Sequence, residues 1–256
     1  MKKLIVIILT LFVSSYYPAL YAQKKSLKTN SLFQYSILNA LMIGDYDGSL
    51  SLKQLSHYGD FGLGTFDKLD GEMVAFDGKF YQISSDGVAK RVLPSFTTPF
   101  AEVTFFKPKQ RIALDKTLSC SELYSFLDSL RASANRAVAI KITGEWATLK
   151  TRSVRAQSKP YPPLSEAVAK QAVFEFANIK ATLVGFWLPS YLASVNSAGY
   201  HFHALTADKK SGGHVLDCTL TKAVLELDAL QQFHLALPEG FDALNFSKPT
   251  VDLQHP

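Results

Sequence analysis

The sequence predicts an α+β fold made of two β-rich halves, mixed or antiparallel, with a few packed helices. Three observations carry that prediction. Short apolar runs separated by Asp-Gly pairs fill residues 70–92. Two alternating stretches, 199–206 and 214–220, flank a Gly-Gly turn. The helical signals stand apart from one another, so strands and helices mix without the regular alternation of an α/β protein. At 47% hydrophobic and 19% charged residues, the 256-residue chain has globular composition and ample material for a core.

The chain opens with Lys2 and Lys3, an apolar stretch from Leu4 to Val13, and the small-residue end Ala19-Leu20-Tyr21-Ala22. That order is expected of a secretory signal covering residues 1–22, cleaved after Ala22. The apolar stretch is short of the roughly 20 residues of a spanning helix, so no stable membrane insertion is expected after cleavage. The mature protein is then exported, to the periplasm or the medium. In an oxidising compartment Cys120 and Cys218 can pair; two separate buried thiols are equally compatible with the sequence.

Residues 31–43 carry Leu32, Phe33, Ile37, Leu38, Leu41 and Met42, a helical stripe stopped at Gly44. A turn-rich stretch runs from Asp47-Gly48 to Gly64. Asp-Gly pairs at 70–71, 77–78 and 86–87 then punctuate a β-meander of Glu72–Phe76, Lys79–Ile83 and Val88–Val92. Ala101–Phe106 is a further strand. Ser119-Cys120-Ser121-Glu122 forms a capping box for a helix continued by Leu123, Phe126, Leu127 and Leu130. Ala137–Ile142 and Trp146–Val154 read as strands, Leu164–Gln171 as a short helix entered through prolines. Strands follow at Ala181–Trp187, Gly199–Thr206, His214–Leu220 and Val224–Leu230. The proline-rich segment near residue 160 divides an N-terminal half, 23–158, from a C-terminal half, 159–256, that carries the histidine cluster.

The net charge of +5 is spread without a basic stripe, so no nucleic-acid partner is expected. There is no Gly-x-Ser-x-Gly for a serine triad, and Gly62-Leu63-Gly64 lacks the third glycine and βαβ setting of a nucleotide loop. Three of the six histidines lie within fourteen residues: His201, His203 and His214. Residues two apart on a strand share a face, so His201 and His203 project together. The turn Asp208–Gly213 folds the next strand back and brings His214 opposite them. Three imidazoles that converge suit zinc best and leave a coordination position for chemistry; iron, copper, nickel and manganese suit the donor set less well. His57, His234 and His255 show no such arrangement. Glu72, at the start of one predicted strand, and Arg152, at the end of another, are ordinary residues when taken singly.

Several stretches in series resemble the α-acetolactate decarboxylase family. They are Gly59–Phe66, Leu69-Asp70-Gly71-Glu72-Met73, Lys150-Thr151-Arg152-Ser153-Val154, Lys159–Leu164, Leu183–Trp187, Gly199-Tyr200-His201-Phe202-His203 and Lys210–Asp217. The resemblance implies zinc ligands at His201, His203 and His214, an active-site glutamate at Glu72 and an arginine at Arg152. It also implies a two-part α+β fold, a homodimer, and export in some members. The implied reaction converts a small keto-hydroxy acid, 2-hydroxy-2-methyl-3-oxobutanoate, into (R)-acetoin and CO₂. It runs through a metal-stabilised enediolate that is protonated on one face. One departure stands out. The family has a further glutamate near the C-terminus, whereas this chain ends Thr250–Pro256 without one. Asp252 or water then takes that part, or proton handling differs. The same histidines would also serve another exported zinc lyase or hydrolase that uses a metal-bound hydroxide.

Overall fold

A computed structural model describes residues 30–247. The expected signal segment and Asp252 lie outside the described residues. Two main sheets face each other. The first has seven strands in the order β14-β1-β8-β3-β4-β5-β6. In chain order these are β1 (Ser31–Tyr35), β3 (Phe61–Thr65), β4 (Glu72–Phe76), β5 (Lys79–Ile83), β6 (Ala89–Arg91), β8 (Ala101–Thr104) and β14 (Gln232–Ala236). The second sheet, ordered β10-β11-β12-β13-β9, contains β9 (Gln110–Ser119), β10 (Val138–Ser153), β11 (Ala172–Leu188), β12 (Gly199–Thr206) and β13 (Gly212–Ala229). β10 pairs with both β11 and β13, and β12 joins β11 to β13, so the second sheet curls and closes on itself. A two-residue pair, β2 (Leu50–Ser51) with β7 (Thr97–Thr98), stands apart. The helices α1 (Leu38–Met42), α2 (Leu52–Leu55), α3 (Cys120–Leu130) and α4 (Leu164–Val168) are short and scattered. Among the described residues no helix is long and apolar enough to cross a membrane.

The predicted α+β class holds, and several elements fall where the sequence places them. β4 and β5 have the predicted bounds, joined by Asp77 (φ 50°) and Gly78 (φ 68°), the pair of positive φ values a tight hairpin turn requires. Ser119 and Glu122 form the predicted capping box, the Ser119 side chain accepting from Glu122 N and the Glu122 carboxylate from Ser119 N. β12 matches its predicted span.

The helix expected over 31–43 is instead a strand followed by a one-turn helix, broken at Ser36 with φ 63°. Pairing on both sides, parallel with β14 and antiparallel with β8, buries all five residues of β1. A run buried on both faces carries no alternation that would mark it as a strand. The turn-rich stretch contains β3. Its Gly64 is needed for close approach to β8, because a Cβ there would lie 2.5 Å from the Phe100 carbonyl oxygen. Two strands expected on either side of residue 145 form one, β10, which absorbs the break as a register shift at Glu145/Trp146. The strands expected before and after residue 222 likewise join as β13.

The sheets do not divide at residue 159. β9 and β10 precede that point and lie in the second sheet, while β14 returns to the first. Three apolar layers result. Phe33, Met73, Ala75 and Val103 pack with Leu52 and Leu55 of α2 outside the first sheet. Leu63, Val74, Val184, Phe186 and Leu205 fill the space between the sheets. Ile140, Trp146, Phe202 and Leu225 pack inside the curled sheet against Leu123 and Leu127 of α3. Full burial of each Val, Leu, Ile, Phe or Met side chain among them contributes roughly 1.5–3 kcal/mol. Cys120 and Cys218 are joined in a disulfide that ties the start of α3 to β13, with Cα atoms 4.9 Å apart. Closing a loop of this length stabilises by about 4–5 kcal/mol in the chain-entropy model.

Candidate metal centre

Strand register assembles the site. On β12, Val184 of β11 is the partner of His203, and Phe186 of β11 that of His201, so both histidines share the face that meets the first sheet. His203 pairs with His214 of β13, which pairs in turn with Arg152 of β10. Cross-strand partners point to one side. The histidines and Arg152 therefore face the gap between the sheets, where Glu72, at the start of β4, meets them from the opposite sheet.

The ring nitrogens converge. His201 Nε2 lies 3.2 Å from His214 Nδ1, which lies 3.3 Å from His203 Nε2. One ligand atom from each ring falls within 4.8 Å of the others. Tetrahedral ligation with bonds of about 2.0–2.1 Å requires nitrogens roughly 3.4 Å apart. The other nitrogen of His203, Nδ1, lies 2.8 Å from the Met73 carbonyl oxygen. That acceptor calls for a proton on Nδ1, which leaves the Nε2 lone pair facing the other rings. Burial disfavours the charged form of two of the rings: it pushes His201 down to about 3, helped by the nearby Arg152 charge, and holds His203 well below the ordinary histidine value. Three imidazoles brought to a common focus are a donor set that fits zinc.

Arg152 Nη1 donates to Glu72 Oε1 at 2.9 Å, and Glu72 Oε2 lies 3.3 Å from His203 Nε2. Burial raises the proton affinity of Glu72, opposed by the Arg152 charge. Both residues line a cavity of about 800 Å³ together with the three histidines. Leu38, Leu41 and Met42 of the α1 region, with Phe100, Val154 and Leu164, make its apolar wall. The five candidates of the sequence analysis thus share one cavity. His234, on β14, contacts Gln232 and stands outside the histidine group, and His255 lies outside the described residues.

Gly213 adjoins His214 with φ +130°, and a Cβ there would lie 2.5 Å from the Arg152 carbonyl oxygen. Gly213→Ala is expected to destabilise the fold by about 1–3 kcal/mol and to weaken metal binding by shifting His214. Thermal unfolding and metal titration check this; wild-type values in both would show that the close approach constrains nothing.

Sequence reasoning missed Glu102 of β8, Asn196 and Gln34, all fully or almost fully buried beside His201. The one signal was an acid inside an apolar strand. Burial raises Glu102 to about 8, an effect partly offset by the hydrogen bond from Asn196.

The family model for alpha-acetolactate decarboxylase matches residues 32–248. An alpha-acetolactate decarboxylase of Methanosarcina mazei is 46% identical over 84% of this chain and 74% of its own length. That of Brevibacillus brevis is 44% identical over 83% and 75%. The crystal structure of the Bacillus subtilis strain 168 protein of that name superposes with a TM-score of 0.83 at 38% identity, covering 86% of this chain and 94% of the other.

Proposed function

The chain belongs to the alpha-acetolactate decarboxylase family, and from that premise we propose that it is a zinc enzyme converting 2-hydroxy-2-methyl-3-oxobutanoate into (R)-acetoin and CO₂. The observation that carries the reading is the focus of His201, His203 and His214 in the cavity that also holds Glu72 and Arg152. The three histidines would hold the ion. When bound, it supplies Lewis acidity for the negative oxygen charge that grows as CO₂ departs, an effect of several kcal/mol.

The protein's own groups do the rest. The C–CO₂ bond breaks, and its electron pair moves onto the neighbouring ketone to give an enediolate. One proton must then reach carbon. Glu72 is buried, which raises its proton affinity against the pull of the Arg152 charge, and it enters the cavity from the first sheet. It delivers that proton from one side and regains it from solvent. Arg152 stays charged, fixes the Glu72 carboxyl through Nη1, and keeps further N–H donors for substrate oxygen. Too firm a grip on the substrate carboxylate would stabilise the ground state, so its useful contact is with charge that develops on the enediolate. The apolar wall of Leu38, Leu41 and Met42 faces the methyl groups and excludes water.

The purified chain is expected to release equimolar acetoin and CO₂ from acetolactate. Chelation removes the activity and added Zn²⁺ restores it; full turnover in metal-free protein would contradict the mechanism. We also read the chain as exported and dimeric. The Cys120–Cys218 bond supports export, since such bonds persist in oxidising compartments. N-terminal sequencing of the protein recovered outside the cytoplasm checks cleavage after Ala22, and sedimentation checks the dimer.

A further inference from the structure

Behind His201, on the side away from the other two rings, lies a buried polar chain that the reaction does not use. Glu102 and Gln34 are cross-strand partners on β8 and β1, on the face turned toward the second sheet. Asn196, from the segment entering β12, inserts between them. Its Nδ2 donates to Gln34 Oε1 at 2.7 Å and to Glu102 Oε2 at 2.8 Å, and its Oδ1 accepts from Ser197 N at 2.6 Å. Gln34 Nε2 in turn donates to the carbonyls of Ser36 and Val195 at 2.8 and 2.7 Å. The remaining Glu102 oxygen, Oε1, is buried without a hydrogen bond and stands 3.6 Å from His201 Nδ1. A buried carboxyl oxygen left without a hydrogen bond is costly, and its persistence calls for a role.

We propose that Glu102 is a positioning residue for His201, and that Asn196, braced by Gln34, holds Glu102 against that ring. The inference rests on the reading of the three histidines as metal ligands. His201 turns Nε2 toward His214 and Nδ1 toward Glu102. A cation held by the rings would favour the ionised form of Glu102, and a carboxylate behind Nδ1 keeps the proton there, leaves Nε2 bare, and raises the ring's strength as a donor. His203 has a backbone carbonyl in the equivalent place, whereas His201 depends on a side chain. Asn196 also lines the cavity, so the same amide that steadies Glu102 anchors the wall segment before β12.

Glutamine would fill the space of Glu102 but cannot do its work. Asn196 Nδ2 donates to one Glu102 oxygen and His201 Nδ1 faces the other at 3.6 Å, so an acceptor is needed on each side, and an amide has one acceptor oxygen and one donor nitrogen. Glu102→Gln would therefore set a donor against a donor on one side.

The test is the Zn²⁺ dissociation constant of the full chain, measured by competition with a chromophoric chelator. The unfolding midpoint of the metal-free protein is read alongside, because a merely structural role would move that midpoint alone. Glu102→Gln is expected to weaken Zn²⁺ binding about 10–100-fold. Asn196→Ala should weaken it by a smaller factor, and should add nothing in the Glu102→Gln background. Wild-type affinity in Glu102→Gln overturns the proposal. Additive losses in the double variant overturn the part given to Asn196. If Glu102→Gln does not fold, Asn196→Ala decides: an unchanged dissociation constant sinks the inference. His203→Ala separates this from the underlying reading. Wild type that binds no Zn²⁺, or His203→Ala that binds it fully, refutes the metal centre and this inference with it. Binding lost in His203→Ala but intact in Glu102→Gln refutes this inference alone.

Discussion

Replacing His203 by alanine is expected to remove metal and turnover together. His203 is buried at 2% exposure at the centre of its row, between Val184 and His214 across the strands. Its Nε2 faces His214 Nδ1 at 3.3 Å, and its Nδ1 faces the Met73 carbonyl at 2.8 Å. Alanine leaves two imidazoles and a hole where the third stood. Two histidines do not retain zinc against a modest chelator, since structural and catalytic sites draw on three or four protein ligands. The charge stabilisation lost with the ion, several kcal/mol, corresponds to a rate loss on the order of 10³-fold or more. Metal analysis and acetoin release on the same sample check the outcome. The fold should persist, because the strands around the site are paired along their length. A variant that kept both metal and rate would take His203 out of the ligand set.

The histidine cluster was legible because it depends on local rules. Alternation places His201 and His203 on one face, and the turn over residues 207–210 reverses the chain so that His214, just beyond the paired strand residues Gly212 and Gly213, meets them. Glu72 and Arg152 were legible only through resemblance. Eighty positions separate them, and their contact depends on how the first sheet meets the second, which no local pattern encodes. Glu102 was hidden for a related reason. In Ala101-Glu102-Val103-Thr104 the alternation suggests a strand with one wet face, so the acid reads as exposed. The second sheet covers that face, and Glu102 has no exposed surface. The same double covering disguised β1, whose five buried residues offered no period-two signal. Strand β9 escaped notice because Gln110, Arg111, Asp115 and Lys116 give it a polar surface, although it pairs with β13 along most of its length. For Glu102 and β1 the missing information was which surfaces become interior, and for β9 which strand it pairs with; both are properties of sheet assembly and not of any single segment.

Glu72→Gln is expected to separate metal binding from catalysis. The amide is nearly the same size, so the Arg152 contact can persist through its carbonyl oxygen and the three imidazoles stay in place. Zinc content should match wild type, and KM should change little, because ground-state contacts with substrate survive. The rate constant should fall about 10²–10⁴-fold, the range in which a positioned general acid or base contributes. Rate alone would not distinguish proton delivery from an electrostatic role, because Gln also removes any charge the carboxyl shares with Arg152. The product does distinguish them. If Glu72 brings the proton from one side, the variant must take it from water, and its residual acetoin should lose enantiomeric purity on chiral chromatography. A slow variant that still makes one enantiomer would assign Glu72 to holding Arg152 and leave facial selectivity to the cavity wall. A fast variant would dismiss it from both parts. The burial that makes Glu72 a useful acid fixes the direction of this expectation. A solvent-exposed carboxyl at its ordinary value would be ionised at neutral pH with no proton to give, whereas burial between two sheets raises the proton affinity of Glu72 against the opposing Arg152 charge.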